Sequence, residues 1–199
     1  MNIIVKTTSG RCYCRPDTTW EREDKDLFSP DSVNSFLYTP VLFARICKAG
    51  KCVGRKFAER YYESAGYGLL LYAGDLMDGS PLSIASASCL DHTSVLPSAM
   101  SARTALGNAQ EPFILYKDGK EIFRSGKTDT GMIESAISEA SSFVSLRIGD
   151  MIAIELAEPA ALADREAQSD ADRTGTSMYR NEIRGTFRGE GLFCFNIIF

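Results

Sequence analysis

Three side chains in this 199-residue sequence have the type and setting to do chemistry. Asp75 follows the apolar run "YGLLLYAG", and a carboxylate at a strand end can hold a hard cation or act as a base. Asp91 and His92 are adjacent in a Ser-rich stretch, and an imidazole beside a carboxylate invites acid–base work. Each has a plainer role as well. A strand-end aspartate caps a turn or pairs with a lysine, and a lone histidine in a polar loop is simply solvated. No G-x-S-x-G nucleophile motif accompanies them. The six cysteines (Cys12, Cys14, Cys47, Cys52, Cys89, Cys194) fall in C-x-C and C-x₄-C spacings beside a single histidine, a poor match to a zinc site. The expectation is reduced thiols.

The elements that must position these groups are short. "VLFARIC" (41–47) reads as a strand, and residues 54–63 place Phe57, Ala58, Tyr61 and Tyr62 at helical spacing. "YGLLLYA" (67–73) is continuous enough to be a strand buried on both faces. Asp118-Gly119 lies between two β-favouring arms, a hairpin signal because that pair tolerates positive φ. After it, Met132, Ile133, Ala136, Ile137 and Ala140 share a helical face, with Thr128 or Asp129 available as cap. "LRIGDMIAIEL" reads as a turn, formed by Asp150, and a strand. The chain closes in two strands around Gly189-Glu190-Gly191. Residues 1–38 read as an N-terminal extension or edge segment, and the polar stretch 157–181 as a mobile loop. Many strands, few helices and no β-α-β alternation predict an α+β, mainly β fold in one domain spanning 1–199.

A net charge of −4, with scattered Lys and Arg, argues against nucleic-acid binding. No apolar stretch reaches the roughly 20 residues of a membrane helix. The start "MNIIVKTTSGRCYC" lacks the basic and apolar regions of a secretory leader, so the expectation is a cytoplasmic protein with no membrane partner.

The order of several segments resembles the short single-domain members of the fumarylacetoacetate hydrolase family. "CRPDTTW" resembles that family's lysine-proline-x-threonine segment. "DLFSPDSVNSFLYTPVLFARICKAGKCV" resembles the lead into its first metal-binding strand. "RKFAERYYESAGYGLLLYAGDL" resembles its helix and second metal-binding strand, and "LDHTSVLP" its phenylalanine-aspartate-glycine segment. "YKDGKEIFRSGKTDTGMIESAISEASSFVSLRIGDMIAI" and "EIRGTFRGEGLFCFNIIF" are similar to its hairpin, helix, glycine-aspartate strand and closing strands. The likeness covers nearly the whole chain and implies a mixed β-roll or sandwich with a few short flanking helices.

It also implies chemistry. The family holds Mg²⁺ or Mn²⁺ with a glutamate-x-glutamate pair and an aspartate on the next strand; residues i and i+2 of a strand share a face, so two carboxylates there can share one ion. The ion polarises a 2-oxo or 1,3-dicarbonyl substrate for C–C hydrolysis, decarboxylation or tautomerisation. Carried over, the glutamates fall on Thr39 and Val41 and the aspartate on Leu70. The expected lysine falls near Ser88, the expected arginine on Gly74, and the glycine-threonine-proline turn reads Ile154-Glu155-Leu156. No anionic ligand remains at those positions, and no cofactor is expected. The resemblance then predicts a non-catalytic relative, a pseudoenzyme acting as a binding or assembly module, homodimeric or paired with an active relative. Two alternatives stand beside it. One is a Mg²⁺- or Mn²⁺-dependent hydrolase or decarboxylase of 2-oxo acids rebuilt around Asp75, Asp91 and His92; the other is a small-molecule sensor using the vestigial pocket.

Overall fold

The computed structural model describes residues 1–80, 82–98, 100–103, 106, 111–126, 129–165 and 180–199. Two long strands form its spine: β5 (Ser35–Ile46) and β6 (Tyr62–Ala73) pair antiparallel, with Thr39 opposite Leu70 and Val41 opposite Gly68. Around them, β1 (Ile3–Lys6), β2 (Cys12–Arg15), β3 (Trp20–Glu21), β7 (Ser94–Val95) and β11 (Met151–Glu155) complete the order β2-β1-β11-β5-β6-β7-β3. Two further strands join this sheet off that path: β8 (Ser101–Ala102) pairs with β6, and β12 (Ala160–Asp164) with β5. A second sheet runs β10 (Lys120–Arg124), β9 (Phe113–Lys117), β13 (Arg180–Phe187), β14 (Glu190–Ile198), β4 (Leu27–Phe28). Two α-helices have both ends among the described residues, the short α1 (Ser83–Ala87) and α2 (Thr130–Phe143). The fold is α+β and mainly β, as the sequence predicts.

One face of the large sheet packs on the second sheet and on α2. Tyr67 stacks on Phe113 at 4.8 Å between ring centroids, and the buried stripe Ile133, Ala136, Ile137, Ala140 of α2 joins the same core. Asp129 caps that helix by accepting from the Gly131 N–H, whereas Thr128 lies outside the described residues. Asp150 binds the turn before β11, its carboxylate accepting from the N–H groups of Asn2 and Arg147, both at 2.8 Å. The opposite face is concave and carries a smaller core of Ile3, Val5, Val41, Phe43, Leu70, Tyr72, Leu96, Met151 and Ala153. Its curvature is evident from Arg15: β2 and β6 are separated by three strands in the sheet order, yet the Arg15 guanidinium donates to the carbonyl of Leu71.

Three expectations about elements need correction. Residues 1–38 are not an appendage: β2, β3 and β4 do lie at sheet edges, but β1 lies between β2 and β11, with Ile3, Ile4 and Val5 buried. Residues 55–61 form a 3-10 helix, and Tyr62 and Glu63 already belong to β6. Within the stretch 157–181, β12 pairs with the first half of β5 while β11 pairs with its second half. The break between β11 and β12 falls beside Pro40, which has no N–H to give, so a continuous ladder stops there. Residues 166–179 of that stretch lie outside the described residues.

Candidate functional site

Thr39, Val41 and Leu70 come together on the concave face, as the spacing of two strands demands. All three are fully buried, and none has an anionic oxygen. Thr39 sits opposite Leu70, and its hydroxyl donates to the Ala157 carbonyl at 2.6 Å, bridging the break between β11 and β12. Across from Val41 on β11 stands Glu155, which the sequence reading did not single out as a site residue. Among the described residues it is the one buried carboxylate on this face, 5% exposed.

Glu155 anchors a buried chain of hydroxyls. Tyr72 donates to its Oε1 at 2.7 Å, and the Thr8 N–H donates to Oε2 at 3.1 Å. The Tyr13 hydroxyl lies 2.8 Å from that of Tyr72. Tyr72 has a single proton and gives it to the ionised carboxylate, so Tyr13 is the donor in that contact. Burial pushes the Glu155 carboxyl above its ordinary value and the Tyr13 phenol up to about 12; the Tyr72 phenol moves upward as well, for the same reason.

Beside these lies Arg15, 1% exposed, its guanidinium 5.0 Å from the centre of the Tyr72 ring. Among the described residues, no carboxylate hydrogen-bonds to it. Its donors go to neutral acceptors: Nε to the Ser88 carbonyl at 3.0 Å, Nη1 to the Thr93 carbonyl at 3.2 Å and the Ser94 hydroxyl at 3.1 Å, and Nη2 to the Leu71 carbonyl. Burial draws its affinity for the proton downward. Arg15 thus ties both ends of the 88–93 loop to strand β6. The segment that follows this loop is pressed onto β6 at Gly68, where a Cβ would stand 2.5 Å from the Val95 carbonyl and 2.8 Å from the Leu96 side chain. As a donor set for Mg²⁺ or Mn²⁺ the concave face does not fit. It offers one carboxylate that already accepts two hydrogen bonds, a hydroxyl committed to a carbonyl, two aliphatic side chains and a buried cation, where a hard ion needs about six oxygens. Among the described residues, no group of three or more His, Cys, Asp or Glu is placed to share an ion.

The other candidates lie elsewhere. Asp75 is exposed in the 3-10 turn after β6 and accepts from the N–H groups of Asn34 at 2.7 Å and Ser35 at 3.0 Å. Burial is the largest single influence and raises its carboxyl, but the hydrogen-bond donors together outweigh it, and its proton affinity falls below the ordinary value. It closes the loop entering β5. Gly74 next to it is pressed against Ser35, leaving no room for a side chain. Asp91 and His92 do come together, at the rim of a cavity of about 520 Å³ floored by Leu27, Phe28, Pro30 and Leu90. His92 sits at φ 60°, and its Nδ1 is 2.8 Å from Oε2 of Glu21, whose side chain is 6% exposed. The Glu23 N–H donates to the other Glu21 oxygen.

The architecture has clear counterparts among solved structures. A Yersinia pestis CO92 protein provisionally assigned to the fumarylacetoacetate hydrolase family superposes with a TM-score of 0.75 at 17% identity, over 99% of this chain and 92% of that one. A fumarylpyruvate hydrolase from Pseudomonas aeruginosa, solved with Mn²⁺ and pyruvate, gives 0.75 at 16% identity over 100% and 89%. The fold is that of the fumarylacetoacetate hydrolase family. A 5-carboxymethyl-2-hydroxymuconate delta-isomerase from Mycobacterium smegmatis shares it with a TM-score of 0.72 at 14% identity, over 99% of this chain and 78% of that one. No sequence-family model matches the chain, and no curated protein does. The likeness is therefore one of fold.

The residues that the sequence reading missed carried a faint signal. "MIAIEL" is an apolar run meeting a carboxylate, the same pattern that drew attention to Asp75. In "CYCR", alternation puts Tyr13 and Arg15 on one face and the cysteines on the other, but alternation alone assigns the arginine to solvent.

Proposed function

We propose that this chain is a non-catalytic member of the fumarylacetoacetate hydrolase family that works as a binding or assembly module, dimeric or paired with an active relative. The observation that carries the reading is the content of the concave face. Thr39, Val41 and Leu70 are packed into a core, and the polar groups beside them are spent on one another and on backbone carbonyls. Three clustered carboxylates without an ion would repel each other and resist burial, whereas these replacements pack. A 2-oxo acid reaching this face would find neither a Lewis acid nor an open base.

Elemental analysis and thermal unfolding of metal-stripped protein, with and without millimolar Mg²⁺ or Mn²⁺, test the reading. The expected result is no stoichiometric metal and no shift in Tm. Turnover of oxaloacetate or an acylpyruvate that responds to metal would overturn it and bring forward a divalent-metal hydrolase or decarboxylase.

A further inference from the structure

The cavity beside the 88–93 loop is built from a different chemistry, and it rests on no part of the metal reading. Its floor is apolar: Leu27, Phe28, Pro30 and Leu90, of which Phe28 is 64% exposed. Its rim carries the carboxylates of Asp26 and Asp91, the His92 ring and the Lys25 ammonium. Lys25 is held by Glu23 at 2.8 Å, and the Cys89 thiol donates to the Ala85 carbonyl. Asp26 accepts from both the backbone and the side-chain N–H groups of Asn196 at 2.8 Å, which pull its carboxyl below the ordinary value. Asp91, by contrast, makes no hydrogen bond or ion pair among the described residues. His92 with Nδ1–H turned to Glu21 leaves Nε2 as an acceptor.

We propose that this cavity binds a small organic ammonium compound, a primary amine on an aromatic or alkyl body. The amine donates to the Asp91 carboxylate and to Nε2 of His92, while the body covers the Leu27, Phe28 and Leu90 floor. The volume suits a ligand of this size, and cations are attracted to an open aromatic face such as that of Phe28. Two supports hold the rim in place before a ligand arrives. The buried carboxylate of Glu21 fixes the imidazole, and Arg15 holds the Ser88 and Thr93 carbonyls at either end of the loop. Pre-set acceptors lower the ordering cost of binding. Glu21 and Arg15 are positioning residues in this scheme.

Titration calorimetry on the intact chain, with three probes of one shape, decides it: 2-phenylethylammonium, neutral 2-phenylethanol and anionic 3-phenylpropionate. The expected result is one saturable site for the ammonium, at least tenfold tighter than for the alcohol, and none for the carboxylate. Asp91→Asn, an exposed position whose replacement does not threaten folding, should remove the preference for the ammonium while weak binding of the alcohol persists. Glu21→Ala, which frees the imidazole, should weaken the ammonium several-fold. Equal binding of all three probes, no binding of the ammonium, or an Asp91→Asn protein that still prefers it would each overturn the proposal.

Discussion

The concave face and the loop cavity lie on two sides of residues 88–96, and they treat polar groups in opposite ways. On the face, the polar side chains among the described residues have internal partners: Tyr13 to Tyr72, Tyr72 to Glu155, Thr39 to Ala157. At the cavity, Asp91 and His92 Nε2 stand at an open rim above apolar side chains. Satisfied networks rigidify a core, whereas acceptors left facing a concavity are what a ligand needs. In this fold the region that resembles a catalytic centre is the sealed one, and the open one lies on the far side of its wall. Arg15 belongs to both, since its guanidinium fills the face and holds the loop.

That shared role makes Arg15 the place where the comparison breaks most easily. Arg15→Met removes the cation but keeps an apolar body, and it leaves the buried Ser88 and Leu71 carbonyls without their donor, whereas the Thr93 carbonyl keeps the Leu71 N–H at 2.8 Å. Leaving such groups unpaired costs about 1–3 kcal/mol each before relaxation, so a loss of about 2 kcal/mol or more is expected in urea unfolding. Arg15→Lys should recover little of it, because a single ammonium cannot match the spread of acceptors a planar guanidinium reaches. A variant with wild-type stability would mean that the two regions are not joined through this residue.

Gly68→Ala strikes the wall between them. The new methyl would meet the Val95 carbonyl and Leu96, which are backbone and packed side chain rather than a free chain end. About 1–3 kcal/mol of destabilisation is expected. Hydrogen exchange should rise first in residues 93–96, because their contact with β6 is what the methyl pushes apart. Uniform loss of protection across β5 and β6 would say instead that the wall and the sheet unfold together.

How much of this is legible in the sequence follows from which signals are local. The Asp118-Gly119 hairpin, the α2 stripe with Asp129 and the closing strands around Gly189 are set by turn chemistry and periodicity, and the structure has them. Strand β12 is not legible, because "AALAD" has weak β propensity and exists through pairing with β5. The meeting of Thr39, Val41 and Leu70 on one face is legible from strand period and neighbouring strands. Arg15 is not, since only the curl of the sheet brings β2 across to β6 and supplies carbonyls for a buried cation. Glu21 escaped notice for the same reason: 71 residues separate it from His92, and they meet only because β3 pairs with β7.

Glu155 offers the finest test of how sealed the face is. Burial raises the folded-state value of its carboxyl, so the folded chain favours the protonated form more than the unfolded chain does. Any stability tied to this group is therefore present at low pH and is lost as pH rises from about 4.3, the value of an unfolded glutamate, through the raised folded value. Glu155→Gln carries no ionisable group and can still accept from Tyr72. Relative to wild type, then, the variant should gain stability across that interval, by about 1.4 kcal/mol for every pH unit separating the two values, and level off above it. Urea unfolding of both proteins between pH 4 and pH 8 measures the difference directly. Parallel curves would mean that solvent reaches the carboxylate, and the concave face would then be as open as the cavity behind it.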